Sequence, residues 1–164
     1  MNIDLLPLRD TPDSAALALQ WSLELWRSNS IPGFSEDDWT DFYERAKRAD
    51  FEVWHGSGQE LIYIAKSGDQ VLGTIALVDF DDLEEFRHLT PWVAAFIVNP
   101  KLRGQGYGTK ILEALERQAA ALGIGTLHLW TEDQTSFYTK RGYEFVSSGT
   151  WSRLTFDVLK KKLS

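Results

Sequence analysis

The sequence predicts a single α/β domain spanning residues 1–164, and three observations carry that prediction. A chain of 164 residues with 43% apolar side chains and seven tryptophans has the material for one real core, since folding at this length buries about 70% of the unfolded surface. The apolar spacing is helical before Glu60 and turns β-rich after it. No internal repeat, low-complexity tract or linker breaks the chain, so its elements belong to one sheet-and-helix body in the order β-αα-βββ-α-β-α-ββ.

Each element has its own signal. "NIDLLPLRD" reads as a short first strand, and Thr11 followed by Pro12 and Asp13 is a helix start with proline in the first turn, where its missing N–H is no loss. That helix is expected to reach about Trp26. "SNSIPGF", Ser28 to Phe34, is a turn-rich loop, after which Ser35 and Asp38 have the spacing of a capping box and open a second helix through Ala49. The runs "LIYIA" and "VLGTIALV" are strands joined by "KSGDQ", a hairpin signal. "WVAAFIV", from Trp92, is continuously apolar, as a central strand covered on both faces requires. Ile111, Leu112, Leu115, Ala119 and Leu122 fall on one helical face, and Gly123 is placed to cap it. "TLHLW" is a strand, "TSFYTKRG" a short helix, and "YEFVSS" with "SRLTFDVLK" a closing antiparallel pair.

Composition removes several classes of function. With no cysteine there is no disulfide framework, thiolate nucleophile or cysteine zinc site. His55, His88 and His128 show no metal-ligand spacing, so no metal is expected. A net charge of −7 opposes nucleic-acid binding, which depends on Lys and Arg neutralising phosphates. No run approaches the roughly 18 apolar residues of a membrane span, and "MNIDLLPLRD" lacks the basic start and apolar stretch of a secretory signal. A cytoplasmic location without membrane contact is therefore expected.

The stretch "NPKLRGQGYGTK", Asn99 to Lys110, joins the last apolar run to the amphipathic helix. A strand that runs through a glycine turn into a helix presents free backbone N–H groups and the positive end of a helix dipole to an anion. Gly104, Gly106 and Gly108 let the backbone approach phosphate oxygens without Cβ clashes. Two familiar phosphate loops do not fit. The P-loop glycine spacing is absent and no Ser or Thr follows Lys110, while Thr109 and Ile111 stand where a dinucleotide fingerprint needs its last glycine.

The stretch instead resembles the acyl-CoA-binding motif of the Gcn5-related N-acetyltransferase (GNAT) superfamily, Arg/Gln-x-x-Gly-x-Gly/Ala, with Arg103, Gly106 and Gly108 in place. Further on, "SFYTKRGYEF" resembles the family's second signature, Tyr-x-x-x-Gly-Phe/Tyr, through Tyr138, Gly142 and Tyr143. The element order matches the family over nearly the whole chain. The resemblance implies a mixed, mostly antiparallel sheet splayed at its central strands. It also implies acetyl-CoA as cosubstrate: Phe96, Ile97 and Val98 would hold the pantetheine arm as an added strand would, and Arg103, Gly104, Gln105, Gly106, Tyr107, Gly108 and Thr109 would hold the pyrophosphate. Many relatives carry an asparagine seven residues before the tyrosine, where this chain has Thr131; Asp133 and Gln134 are candidate substitutes.

The activity so implied is direct transfer of acetyl to a primary amine. An alkylammonium must lose its proton first, at about 4 to 5 kcal/mol near pH 7, and a proton donor eases departure of the thiolate. Tyr138 matches the family's donor position. The acids Asp79, Asp81, Asp82, Glu84 and Glu85 lie just before the central strand, with Glu132 and Asp133 as rivals for the base; Glu84 and Glu85 are taken as the catalytic pair. The acceptor is expected between "SNSIPGF" and "DFDDLEEFRHLTPW", among Trp26, Phe34, Trp39 and Trp92, a setting that suits a small cationic molecule. A protein amine is the alternative acceptor, a noncatalytic acyl-CoA sensor the alternative class, and a homodimer the expected assembly if the chain self-associates.

Overall fold

The computed structural model describes residues 2–26, 35–49, 60–151 and 153–163. The expected Ser28–Phe34 loop, and His55, lie outside the described residues. The chain order is β1 (Asp4–Pro7), α1 (Ala15–Trp26), α2 (Glu36–Ala46), β2 (Glu60–Ser67), β3 (Gln70–Val78), β4 (Trp92–Val98), α3 (Tyr107–Ala121), β5 (Thr126–Thr131), α4 (Thr135–Thr139), β6 (Glu144–Trp151) and β7 (Leu154–Lys162).

Local chemistry sets most boundaries. Pro12–Ser14 form a 3-10 turn ahead of α1. Ser35 and Asp38 make both halves of the capping box: Asp38 N–H donates to Ser35 Oγ at 3.1 Å and Ser35 N–H to Asp38 Oδ2 at 3.0 Å. α2 ends three residues before the expected Ala49, because its last turn tightens, with Arg48 N–H on Arg45 O and Ala49 N–H on Ala46 O. At the end of α3, Gly123 takes φ 82° and Ile124 N–H reaches back to Ala119 O at 3.0 Å, closing a Schellman motif. Gly68 at φ 59° makes the two-residue turn between β2 and β3.

The strands form one seven-stranded sheet in the order β1-β2-β3-β4-β5-β7-β6. Its two faces are read directly from β2: Leu61, Tyr63 and Ala65 join the core under α3, and Ile62 and Ile64 join the core under α1 and α2, the period of two that a pleated strand imposes. Ile111, Leu112 and Leu115 of α3 are fully buried, each contributing about 1.5–3 kcal/mol; Leu115→Ala would open a cavity and cost about 2–5 kcal/mol. Among the described residues no helix is long and apolar enough to cross a membrane.

Two irregularities shape the middle of the sheet. Among the described residues the only parallel neighbours, β4 and β5, pair at the single position Trp92↔His128 and then part, which is the splay expected of the central strands. On its other flank β4 pairs with β3 at Ala76↔Ala94 and Thr74↔Ile97, so Ala95 and Phe96 stand opposite the lone Ile75. This is a β-bulge, and Ala95 adopts φ 45° within it.

Candidate active site

Where β4 and β5 part, a cleft of about 1070 Å³ opens. Val93 through Val98 line one side and Leu129, Trp130 and Thr131 the other. Among the described residues, the flank of β4 facing β5 has no ladder partner from Val93 onward, so its peptide groups are available to a ligand.

One half of the cleft is built from backbone. After β4, Asn99 holds the chain's exit: its side chain accepts from Lys101 N–H at 3.1 Å and donates to Val71 O at 3.0 Å. Arg103 and Gly108 line the cleft. Gly104 and Gly106 take φ 76° and 83°, a left-handed conformation that costs an L side chain about 1–2 kcal/mol; with Gln105 they make the turn, and Tyr107 and Thr109 lie in the first turn of α3. Among the described residues, the backbone N–H groups from Arg103 to Thr109 find no acceptor within the protein, and no side chain caps α3. The first satisfied amide is Lys110, on Gly106 O at 3.5 Å. A run of open donors at the positive end of a helix fits a pyrophosphate.

α4 brings Tyr138 to the same cleft. Thr131, standing at the asparagine position, is buried, and its hydroxyl accepts from Gln134 N–H at 3.0 Å at the entry to α4. Thr135 Oγ1 donates to Asp157 Oδ2 on β7 at 2.6 Å, and Tyr138 N–H donates to Gln134 O at 3.2 Å. The Tyr138 ring packs edge-on against Phe137 and Tyr143, with centroids 5.0 and 5.6 Å away. Burial pushes its phenol well above the ordinary range, so the hydroxyl stays protonated at neutral pH. Arg141 ties this helix to the phosphate end: Nη1 donates to Phe137 O at 2.6 Å and Nε to Thr109 Oγ1 at 2.8 Å. Tyr143 is a packing residue, its hydroxyl donating to Glu116 Oε1 at 3.1 Å while Lys161 Nζ donates to Glu116 Oε2 at 2.8 Å.

The other half is built from side chains. α1 supplies Trp21, Glu24 and Trp26, and α2 supplies Asp38, Trp39, Asp41, Phe42 and Arg45; Glu60, Phe80, Asp81 and Asp82 complete it. Trp26 stacks on Trp39 with centroids 4.9 Å apart. Arg45 is already engaged, with Asp41 and with Glu60, whose Oε1 accepts from Nη2 at 2.8 Å. Burial, then the neighbouring Asp82 carboxylate, push Asp81 up to about 8, against a smaller lowering by the Trp130 indole. The Trp130 Nε1–H also donates to the Asp81 carbonyl at 3.1 Å. Asp82, at φ 64° and exposed at the cleft's edge, is raised by partial desolvation and then by Asp38 and Glu84.

Of the residues expected from sequence, Phe96, Ile97, Val98, Arg103, Gly108, Gln134 and Tyr138 line this one cleft, with Gly104, Gln105, Gly106, Tyr107 and Thr109 in the adjoining turn. Glu84 and Glu85 do not line it, which corrects their expected position at the reacting centre. Leu83 and Phe86 pack inward on the core and leave the two glutamates between them exposed. Glu84 instead pairs with Arg87, at 2.7 Å from Nη2, which holds its carboxyl below the usual range. The Glu85 carboxylate lies against β6, 3.2 Å from where a Cβ on Gly149 would stand. Asp81 and Asp82 of the same loop are the acids that reach the cleft. The bulge at Ala95 was not anticipated; the isolated glycine at Gly73, inside a strand run, is the signal that marks such a site.

The sequence pattern of the acetyltransferase (GNAT) family matches residues 31–143. The chain belongs to that family of acetyltransferases. N-alpha-acetyltransferase 80 of Mus musculus is 44% identical over 52 residues, 32% of this chain and 17% of that protein, so the match spans under a fifth of that relative. Two solved structures share the fold end to end. An aminoglycoside 6'-acetyltransferase type Ii superposes with a TM-score of 0.71 at 17% identity, covering 100% of this chain and 98% of the other. An aminoglycoside 6'-N-acetyltransferase complexed with coenzyme A gives 0.70 at 14% identity, with the same coverage of 100% and 98%.

Proposed function

We propose that the chain transfers the acetyl group of acetyl-CoA directly to a primary amine of a small, cationic molecule. The observation that carries the reading is the run of unsatisfied amides from Arg103 to Thr109, continuous with the unpaired flank of β4 and facing an acid-rich aromatic wall across one cleft. Bound there, acetyl-CoA supplies an activated acetyl thioester.

The chain's own groups then divide the work. The amides of residues 103–109 hold the pyrophosphate, and the open edge of β4 at Phe96–Val98 binds the pantetheine arm by strand addition. A backbone N–H of that segment meets the negative charge that develops on the acetyl oxygen. Asp81 receives the proton of the incoming ammonium: raised to about 8, it leaves that transfer uphill by about 3 kcal/mol, against about 9 for an ordinary aspartate. Tyr138, neutral at working pH, gives a proton to the departing sulfur.

The substrate class follows from charge. Glu24, Asp38, Asp41, Glu60, Asp82, Glu132 and Asp133 line the cleft beside Asp81, which is mostly protonated at neutral pH, against two arginines, Arg45 and Arg103, and Arg45 is engaged by two of those carboxylates. Such a wall concentrates cations, and stacked Trp26 and Trp39 offer aromatic faces to ammonium groups and apolar bulk.

Two measurements test the proposal. Calorimetric titration is expected to give acetyl-CoA binding in the micromolar range, and no heat at millimolar ligand would remove the reading. CoA release is then followed over diamines, polyamines, amino sugars and amino-terminal peptides. Polyamines or amino sugars are expected to turn over fastest, and turnover confined to peptides would replace the small cation with a protein amine.

A further inference from the structure

We infer that Thr74, which does not line the cleft, is a positioning residue for the acetyl transfer proposed above and rests on that reading: its hydroxyl sets the peptide plane between Ala95 and Phe96. Thr74 interrupts the apolar run of β3 and is fully buried. Its Oγ1 donates to the Ala95 carbonyl at 2.8 Å. Ala95 is the residue that stands at φ 45° in the bulge, a conformation a non-glycine residue keeps only when its surroundings over-determine it.

The consequence follows from the planarity of the amide. The C=O and N–H of one trans peptide unit point in opposite directions. With the Ala95 carbonyl drawn onto Thr74, the Phe96 N–H of the same unit points away from Thr74. Beyond Trp92 the far flank of β4 is the cleft. The neighbouring residue makes the same kind of hold one step along: a Cβ on Gly73 would sit 2.3 Å from the Ile97 carbonyl, so only glycine lets that carbonyl close on β3. Gly73 and Thr74 together hold the carbonyls of Ala95 and Ile97 on the β3 side, so the N–H groups of the same two peptide units, Phe96 and Val98, are turned to the other flank. Those outward amides, Phe96 N–H first, are the donors that a developing oxyanion would meet.

A hydroxyl that only satisfied a buried carbonyl would affect stability; one that aims Phe96 N–H affects turnover after the cosubstrate is bound. Thr74→Val, Thr74→Ala and Thr74→Ser are compared for thermal transition, acetyl-CoA affinity by calorimetry and kcat with the best amine of the panel. Both hydroxyl-free variants serve, so the test survives if one fails to fold. The expected result is a kcat lower by about tenfold to a hundredfold in the Val and Ala variants, with acetyl-CoA Kd within about threefold of the parent and the Ser variant restored to within about threefold. A folded hydroxyl-free variant with parental kcat, or a Ser variant as slow as Val, overturns the inference while acetyl transfer stands. A parent protein that binds no acetyl-CoA overturns both.

Discussion

The two halves of the cleft are made from different material. The phosphate half is main chain from one continuous stretch, the unpaired flank of β4 and the turn into α3, residues 93–109. The acid half is side chains drawn from α1, α2, the start of β2 and the loop after β3. Amides at a helix end recognise any pyrophosphate whatever side chains they carry, so the first half is generic. Side chains on separate elements can change without moving a strand, so on the proposed function the second half is the one that sets which amine is taken.

The sharpest test of that division removes one side chain from the acid half. Asp81→Asn is expected to lower kcat/KM by about a thousandfold at neutral pH while leaving acetyl-CoA affinity within about threefold. The pH profile gives the sign: Asp81 accepts a proton only when ionised, and its pKa is raised to about 8, so parental kcat/KM climbs as pH rises and levels above about 8. In the Asn variant that limb is replaced by one at the amine's own pKa. A parental profile without an inflection near 8 would take the base away from Asp81.

Tyr138→Phe probes a side chain that sits within the generic half. The expected loss is about a hundredfold in kcat, with acetyl-CoA binding changed by less than about threefold if, as proposed, backbone rather than this phenol holds the cosubstrate. If binding falls in step with kcat, the tyrosine packs the site rather than donating, as its edge-on contacts to Phe137 and Tyr143 would permit.

The same contrast governs what was legible in the sequence. Elements with local causes read correctly: the Ser35–Asp38 capping box, the Gly68 hairpin and the Gly123 cap are each written in neighbouring residues. The glycine turn into α3 was legible for the same reason, since spaced glycines after a strand state where a backbone is exposed. The acid half was not. Choosing among five acids in "DFDDLEEF" depends on which residues face the core, and Leu83 and Phe86 won the inward positions, turning Glu84 and Glu85 out. Asp81 reached the cleft through burial beside Trp130, a residue 49 positions away. The Ala95 bulge depends on pairing register with β3, which no run of residues states by itself.

The smallest expected effects separate two glycines that the motif treats alike. Gly106 stands at φ 83° with nothing within 4 Å of a would-be Cβ, so its need for glycine is conformational. Gly108 lies in helical backbone, and a Cβ there would meet Val98 Cγ2 at 3.5 Å and Phe137 Cζ at 3.6 Å, ordinary contact distances. Gly106→Ala therefore strains the turn by about 1–2 kcal/mol, and the expected result is acetyl-CoA affinity lower by about tenfold as the amides swing out of line. Gly108→Ala gains helix propensity of up to about 1 kcal/mol, read as a melting temperature higher by about 2 to 4 °C, with affinity within about threefold. Calorimetry and thermal melting on the two variants decide it. If Gly106→Ala binds acetyl-CoA as the parent does, recognition does not depend on the direction of those amides, and the phosphate half loses its claim to be made of main chain alone.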